Sequence, residues 1–289
     1  MRIVNILYLL RPHQYVKNLF IFAPLFFALK ITDKALLLNA VIAFIAFSLI
    51  ASAIYTLNDY IDIEDDRLHP KKKSRPLASG VIGKPAAIVI MLVLFVLGIF
   101  LAASHSIQAT YILLAYVSMN IAYSLRLKHI PIVDILTIAT GFVMRIFVGS
   151  TVTGIHPSMW IVLMTFLLAL FLALAKRRDD VLIYMGTGKK MRKVLDGYNL
   201  EFLDGAMMIM SSVVIVSYIN YTASTELIEQ VGSEYIYLTS FFVITGVLRY
   251  MKITFVNKES GSPTNIVLHD RFIQIILLGW TASFAWIIY

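Results

Sequence analysis

ALLLNAVIAFIAFSLIASAIYTLNDYIDIEDD, residues 35–66, carries no charged side chain from 35 to 58 and then five carboxylates in the eight positions that follow. Wound as a helix, the uncharged part is long enough to cross about 30 Å of hydrocarbon, so it reads as a membrane span that ends in acids. On that helix Asp59, Asp62 and Asp66 stand at i, i+3 and i+7, which stacks three acids on one face. Crowding them is costly unless a cation is shared, and an oxygen-only ligand set favours Mg²⁺ or Ca²⁺ over softer metals. Shortly downstream, Lys71, Lys72, Lys73 and Arg75 supply the opposite sign. Acids for a hard metal beside bases for phosphate describe a diphosphate site at a membrane surface.

The rest of the chain agrees with a bilayer setting. Of 289 residues, 59% are hydrophobic and only 15% charged, and mean hydropathy is +0.81, against roughly 45–50% apolar and about 25% charged in soluble domains. The chain has no cysteine, which excludes disulfides, thiolate metal sites and thiol nucleophiles. The amino-terminal stretch lacks the pattern of a removable signal peptide, so the first membrane helix is expected to direct insertion. Nine runs are candidates for crossing, near 17–32, 35–58, 85–104, 107–124, 131–151, 158–176, 203–223, 234–252 and 266–287.

Charge distribution tests that count. With the amino terminus cytoplasmic, segments 1–16, 59–84, 125–130, 177–202 and 253–265 face inward and hold or adjoin nearly all the bases, whereas the outer loops offer only Lys30 and Lys34. The same asymmetry accounts for the net charge of +8 without nucleic acid, because a basic inner face suits anionic lipid and phosphorylated substrates. No basic helix or stacking platform stands clear of the membrane, so no nucleic-acid partner is expected. Repetition is faint and no low-complexity linker divides the chain. The expectation is an all-α polytopic bundle of about nine helices forming one domain, 1–289, in an inner or plasma membrane. A homo-oligomer is left open.

Each inward loop then suggests its own chemistry. In 59–84, His-Pro and Arg-Pro dipeptides interrupt the helix and turn the bases back toward the acids, where Arg67, Lys73 and Arg75 neutralise charge left over by a metal-diphosphate. For Lys71 and Lys72 an ordinary solvated role beside the membrane serves as well. In the second loop, Asp134 could complete a second cation site, with Arg126 and Lys128 on phosphate oxygens; equally, it could be an acid placed at a helix amino end by the macrodipole. Arg145, deeper in that helix, must pair or snorkel; a structural ion pair is the first expectation and a role in substrate binding the alternative. In the third loop Lys176, Arg177 and Arg178 are read as the basic carboxyl end of a helix, with Asp179 and Asp180 just beyond. The six histidines are dispersed, with no metal-ligand spacing.

NDYIDIEDD resembles the NDxxDxxxD signature of the UbiA-type intramembrane prenyltransferase superfamily, whose members are nine-helix bundles binding Mg²⁺-diphosphates over a central cavity. Further segments are similar to one branch, the decaprenyl-phosphate phosphoribosyltransferases: LRPHQYVKNLFIFAPLFF (10–27), DRLHPKKKSRPLASG (66–80), YSLRLKHIPIVDILTIATGFVMRIFVG (123–149), LALAKRRDDVLIYMG (172–186) and SPTNIVLHDRFIQIILLGW (262–280). Aromatic prenyltransferases of the superfamily carry a second DxxxD motif where this chain has Tyr123, Lys128 and a solitary Asp134. One acid in place of two suits a donor with more phosphate, 5-phosphoribosyl diphosphate.

The resemblance implies transfer of 5-phosphoribose to a polyprenyl phosphate, at a site facing the cytoplasm. It implies Mg²⁺ on Asp59, Asp62 and Asp66, with Asn58 as ligand or positioner. Lys17, Arg11 and Arg126 are candidates for the acceptor phosphate; Lys73, Arg75, Lys128, Lys176 and Arg177 are candidates for the donor phosphates, near Tyr123. The rival expectations are an aromatic prenyltransferase using prenyl diphosphate and, more remotely, a lipid transporter.

Overall fold

The computed structural model describes residues 3–68, 72–188, 193–258 and 262–288, and among them every regular element is helical. Lys71, one of the four bases quoted above, lies outside the described residues. Six helical stretches are long and apolar enough to cross a membrane: Lys34–Ile61, Lys84–Ala103, Val133–Thr153, Met159–Gly186, Leu200–Thr222 and Glu234–Asn257. The runs at 107–124 and 266–287 are also helical, as Ile107–Leu125 and Arg271–Ile288.

The run at 17–32 is not one helix. Pro12–Phe22 winds as a 3-10 helix, Ala23–Phe27 follows as a short α-helix, and the chain turns at 28. Pro12 and Pro24 each open a segment, since a proline has no N–H to give to a preceding turn. Just before this element, Arg11 is held left-handed at φ 54 and ψ 57, a conformation uncommon outside glycine and asparagine.

The chain forms two compact units, Met1–Pro157 and Ser158–Tyr289. In the first, Lys34–Ile61 is the central helix. Asp33 starts it by accepting from the amides of Ala35 at 2.9 Å and Leu36 at 3.1 Å, two of the donors a helix start leaves unsatisfied. Lys84–Ala103, Ile107–Leu125, Val133–Thr153 and the 3-10 helix pack around it. Small residues let them approach, as where Ala43, Ala46 and Ala51 join Phe47, Ile50, Leu113 and Val148 in one core cluster.

Gly149 marks the tightest of these approaches. A methyl at this position would stand 1.9 Å from the carbonyl oxygen of Ile21 and 2.8 Å from its carbonyl carbon, backbone that cannot rotate aside. Gly149→Ala is therefore expected to cost about 3 kcal/mol, the upper end of overpacking penalties. Thermal unfolding in detergent measures it, and a melting temperature equal to the parent's would refute this packing.

In the second unit, Met159–Thr187 runs well past the run read as 158–176, ending at Gly188 in the left-handed conformation. Lys176, Arg177 and Arg178 accordingly stand inside this helix and not at its carboxyl end. The helix continues because the following acids are in register with the bases: Arg177 reaches Asp180 at 2.8 Å across one turn. Arg178 pairs with Asp204 at 2.6 Å and donates to the Thr254 carbonyl at 2.9 Å. Asp270 pairs with Arg249, whose hydrogen bond is the foremost reason that its carboxyl is held below the usual range.

Candidate active site

The acids lie at the end of the central helix of the first unit, but not on one continuous face. Lys34–Ile61 stops at Asp62, whose φ of −93 and ψ of 13 depart from the helix, and a second helix, Ile63–Leu68, begins. An unbroken helix would bring Asp59, Asp62 and Asp66 together as like charges at i, i+3 and i+7, successive neighbours three and four residues apart, which is repulsive. The interruption separates them. Asp59 and Asp66, both 2% exposed, turn to one base, and Asp62 turns to another.

Arg75 is the shared base, 3.0 Å from Asp59 Oδ1 and 2.6 Å from Asp66 Oδ2. It returns to the acids because Lys72–Ser74 closes as a short 3-10 turn stacked on the Ile63–Leu68 helix. Arg11 also ion-pairs with Asp59 Oδ1, its guanidinium 5.4 Å from the centre of the Tyr55 ring. Lys72 Nζ stands 3.9 Å from Asp66 Oδ1. From the loop after Ile107–Leu125, Lys128, only 9% exposed, ion-pairs with Asp62. Ser124 donates to Asn58 Oδ1 at 3.4 Å, fixing the amide beside the acids.

Three carboxylates thus face four bases. Pairs at this depth are held more firmly than surface ion pairs, which contribute about 0–1 kcal/mol, because less water competes for them. One atom of the cluster is left over: Asp59 Oδ2 is buried with no hydrogen-bond partner among the described residues. No three acids stand close enough to hold a metal ion by themselves among the described residues. The residues nonetheless fit Mg²⁺, which commonly takes one or two carboxylates and completes its shell with substrate phosphate and water. A hard oxygen set with an unsatisfied buried carboxylate oxygen is such a partial shell.

The other expected residues fall into three groups. Lys73 and Arg126 are exposed, with no hydrogen bond or ion pair to a described residue, and Lys17 is half-buried and likewise without one. Asp134 is fully buried in the first turn of Val133–Thr153, and Tyr123 is half-buried in the last turn of Ile107–Leu125. Lys176 and Arg177 belong to the second unit, where Arg177 is fully buried against Asp180.

Two expectations are corrected by the geometry. Arg67 does not serve the acid cluster; it pairs with Glu64 at 3.0 Å, one turn away on its own helix, and donates to the Ala78 carbonyl at 3.2 Å. Arg145 has no acid partner among the described residues, and the groups it hydrogen-bonds are neutral. His13, near the cluster, has its imidazole held below the usual range by burial first, then by Arg11 and Lys17, and so stays uncharged at neutral pH.

Sequence reasoning did not find the polar line running down the central helix from Asp59 through Tyr55 and Ser52 to Ser48. Tyr15 hydrogen-bonds Ser52 at 2.8 Å and Asn18 donates to Ser48 at 2.9 Å, tying the 3-10 helix to this face. Its signal was present as polar residues recurring every three or four positions within an apolar run.

The sequence profile of the UbiA prenyltransferase family matches residues 19–276. A decaprenyl-phosphate phosphoribosyltransferase of Corynebacterium glutamicum is 29% identical over 284 residues, which cover 97% of this chain and 85% of the relative. One of Mycobacterium tuberculosis is 30% identical over 284 residues, covering 95% and 91%. Among solved structures, a UbiA homolog from Archaeoglobus fulgidus bound to DMAPP and Mg²⁺ superposes with a TM-score of 0.73 at 23% identity, covering 98% of both chains.

Proposed function

This chain belongs to the UbiA prenyltransferase family and is a transferase, and from that premise we propose that it moves 5-phosphoribose from phosphoribosyl diphosphate to a polyprenyl phosphate, releasing diphosphate. The transporter alternative gives way to this premise. One observation carries the choice of donor: the bases outnumber what the acids need. Four bases already neutralise three carboxylates, and Lys17, Lys73 and Arg126 remain without a hydrogen bond or ion pair among the described residues. That surplus suits a donor with phosphate beyond its leaving group.

In this reading Asp59, Asp62 and Asp66, with Asn58 beside them, would contribute carboxylate ligands to Mg²⁺, which would supply positive charge to a departing diphosphate. The bond between the anomeric carbon and the diphosphate oxygen breaks, and a phosphate oxygen of the acceptor bonds to that carbon. No general base is required, because the acceptor phosphate is already anionic at neutral pH. What the chain must supply is orientation and screening between two anions. Arg75, Lys73 and Lys128 are assigned to donor phosphates, near Tyr123; Arg11, Lys17 and Arg126 are assigned to the acceptor. Asp134 supports the donor end.

The same proposal takes residues 1–289 as one transferase domain of nine crossings, with its amino terminus and site on the cytoplasmic side of the inner or plasma membrane. The inward bias of Lys and Arg supports it. A second reading, prenyl transfer to an aromatic acceptor, is favoured by the likeness to a homolog bound to DMAPP and Mg²⁺.

A labelling experiment separates the two. Purified protein with Mg²⁺ and polyprenyl phosphate is offered either labelled phosphoribosyl diphosphate or labelled prenyl diphosphate. The ribosyl label is expected in the lipid phase; entry of the prenyl label into an aromatic product instead would overturn the proposal.

A further inference from the structure

Arg145 is 4% exposed and lies roughly 18 Å along the Val133–Thr153 helix from its start. All its partners are neutral. Nε donates to Asn18 Oδ1 at 2.8 Å, Nη1 to the Gly141 carbonyl at 2.6 Å and Nη2 to the Tyr116 hydroxyl at 3.2 Å. The rings of Phe47, Tyr116 and Phe142 surround the guanidinium, with centres at 4.6, 5.3 and 5.3 Å. A guanidinium has five N–H donors, so two are left without a partner among the described residues.

The second unit shows how this protein settles an arginine structurally. Arg177 and Arg178, 0% and 6% exposed, are each ion-paired to an aspartate, at 2.8 and 2.6 Å. Arg145 has no such partner, although a buried cation without a counter-charge is costly, and more so at membrane depth.

A second cation shares the space. Lys17 precedes the Asn18 that Arg145 holds, lies within electrostatic reach of both Arg145 and Arg11, and makes no hydrogen bond or ion pair of its own with a described residue. Asn18 cannot turn away, because its Nδ2 is committed to Ser48 at 2.9 Å. Tyr55 and Tyr116 also lie within electrostatic reach of Arg145. Two cations and two phenols, with no acid paired to either cation among the described residues, suit an anion with several oxygens.

We infer that Arg145 and Lys17, with Tyr116, form a phosphomonoester-binding site inside the first unit, beside Phe47 and Ser48 and about three turns of the central helix from Asp59. A phosphomonoester is close to a dianion at neutral pH and presents three acceptor oxygens, enough for the two spare guanidinium donors and the ammonium together. An apolar prenyl tail in the same place would leave every one of those donors unsatisfied. The inference rests on the phosphoribosyl reading to the extent that both substrates there carry such a group, at the ribose 5-position and on the lipid.

Binding by titration calorimetry on the full chain in detergent tests the site without turnover, using ribose 5-phosphate and farnesyl phosphate as probes. Arg145→Gln is expected to weaken one of them about tenfold or more, as loss of a charge-assisted pair does, with Arg145→Lys recovering part of the loss. Loss confined to ribose 5-phosphate places the donor's phosphate in the site; loss confined to farnesyl phosphate places the acceptor's there. Unchanged affinity for both, or no binding of either by the parent protein, overturns the inference. If Arg145→Gln does not fold, Lys17→Met, which removes no hydrogen bond, replaces it, and the same losses of affinity support or overturn the site. Prenyl transfer in the labelling experiment beside intact phosphomonoester binding would fail the proposed reaction and spare the site.

Discussion

Asp59→Asn and Asp62→Asn each lower turnover by about two orders of magnitude or more, the size of effect that follows loss of a preorganised charge acting on the leaving group. The substitution keeps the shape of the side chain and removes its charge. At Asp59 it also touches the atom with the least alternative use, since Oδ2 is buried and has no partner among the described residues. The fold should survive. Arg75 retains Asp66 at 2.6 Å when Asp59 is neutralised, and Arg11 is 18% exposed at its side chain, enough for water to reach it. At Asp62 the freed Lys128 keeps some access to solvent, its side chain being 10% exposed. Initial rates of phosphoribosyl transfer, taken alongside melting temperatures, make the comparison. Two folded variants with near-parental activity would refute the assignment of these acids to a metal-diphosphate.

Chelation should act as strongly and leave the structure alone. EDTA is expected to abolish transfer, by about three orders of magnitude or more, with full recovery on adding Mg²⁺. The melting temperature should stay where it was, because the acids do not depend on a metal for neutralisation: Arg11, Lys72, Arg75 and Lys128 already provide it. That combination separates a metal used in the reaction from one that holds the fold, whose removal would lower both. Transfer indifferent to the chelator would send the search for charge stabilisation to the bases themselves.

The apolar span and the meeting of acids with bases at its end were legible in residues 35–66 and the bases that follow, because a long uncharged run followed by five acids draws opposite charge. The helix-period pattern could not show that Asp62 would break the run. That depends on Arg75 and Lys128, which arrive from separate loops and draw the acids two ways. The helix around Arg177 was misjudged for a related reason. A cluster of bases reads as a carboxyl end in the sequence, whereas Asp180 one turn on lets the helix continue. Arg145 was expected to find an acid, since charge in a membrane helix normally does; only the three-dimensional neighbourhood reveals Asn18 and Tyr116 in that place. Asp134 and Tyr123 kept the positions that their spacing suggested, at the start of one helix and the end of another.

Arg11 sets two requirements against each other at one position. Its left-handed backbone is one that glycine or asparagine would adopt with less strain, yet neither could bring a guanidinium to Asp59. Relaxing the turn means surrendering the charge it aims. A chain selected only for ease of folding would drift away from arginine here, so the presence of this residue in a contorted loop is itself a measure of what the aspartate behind it needs.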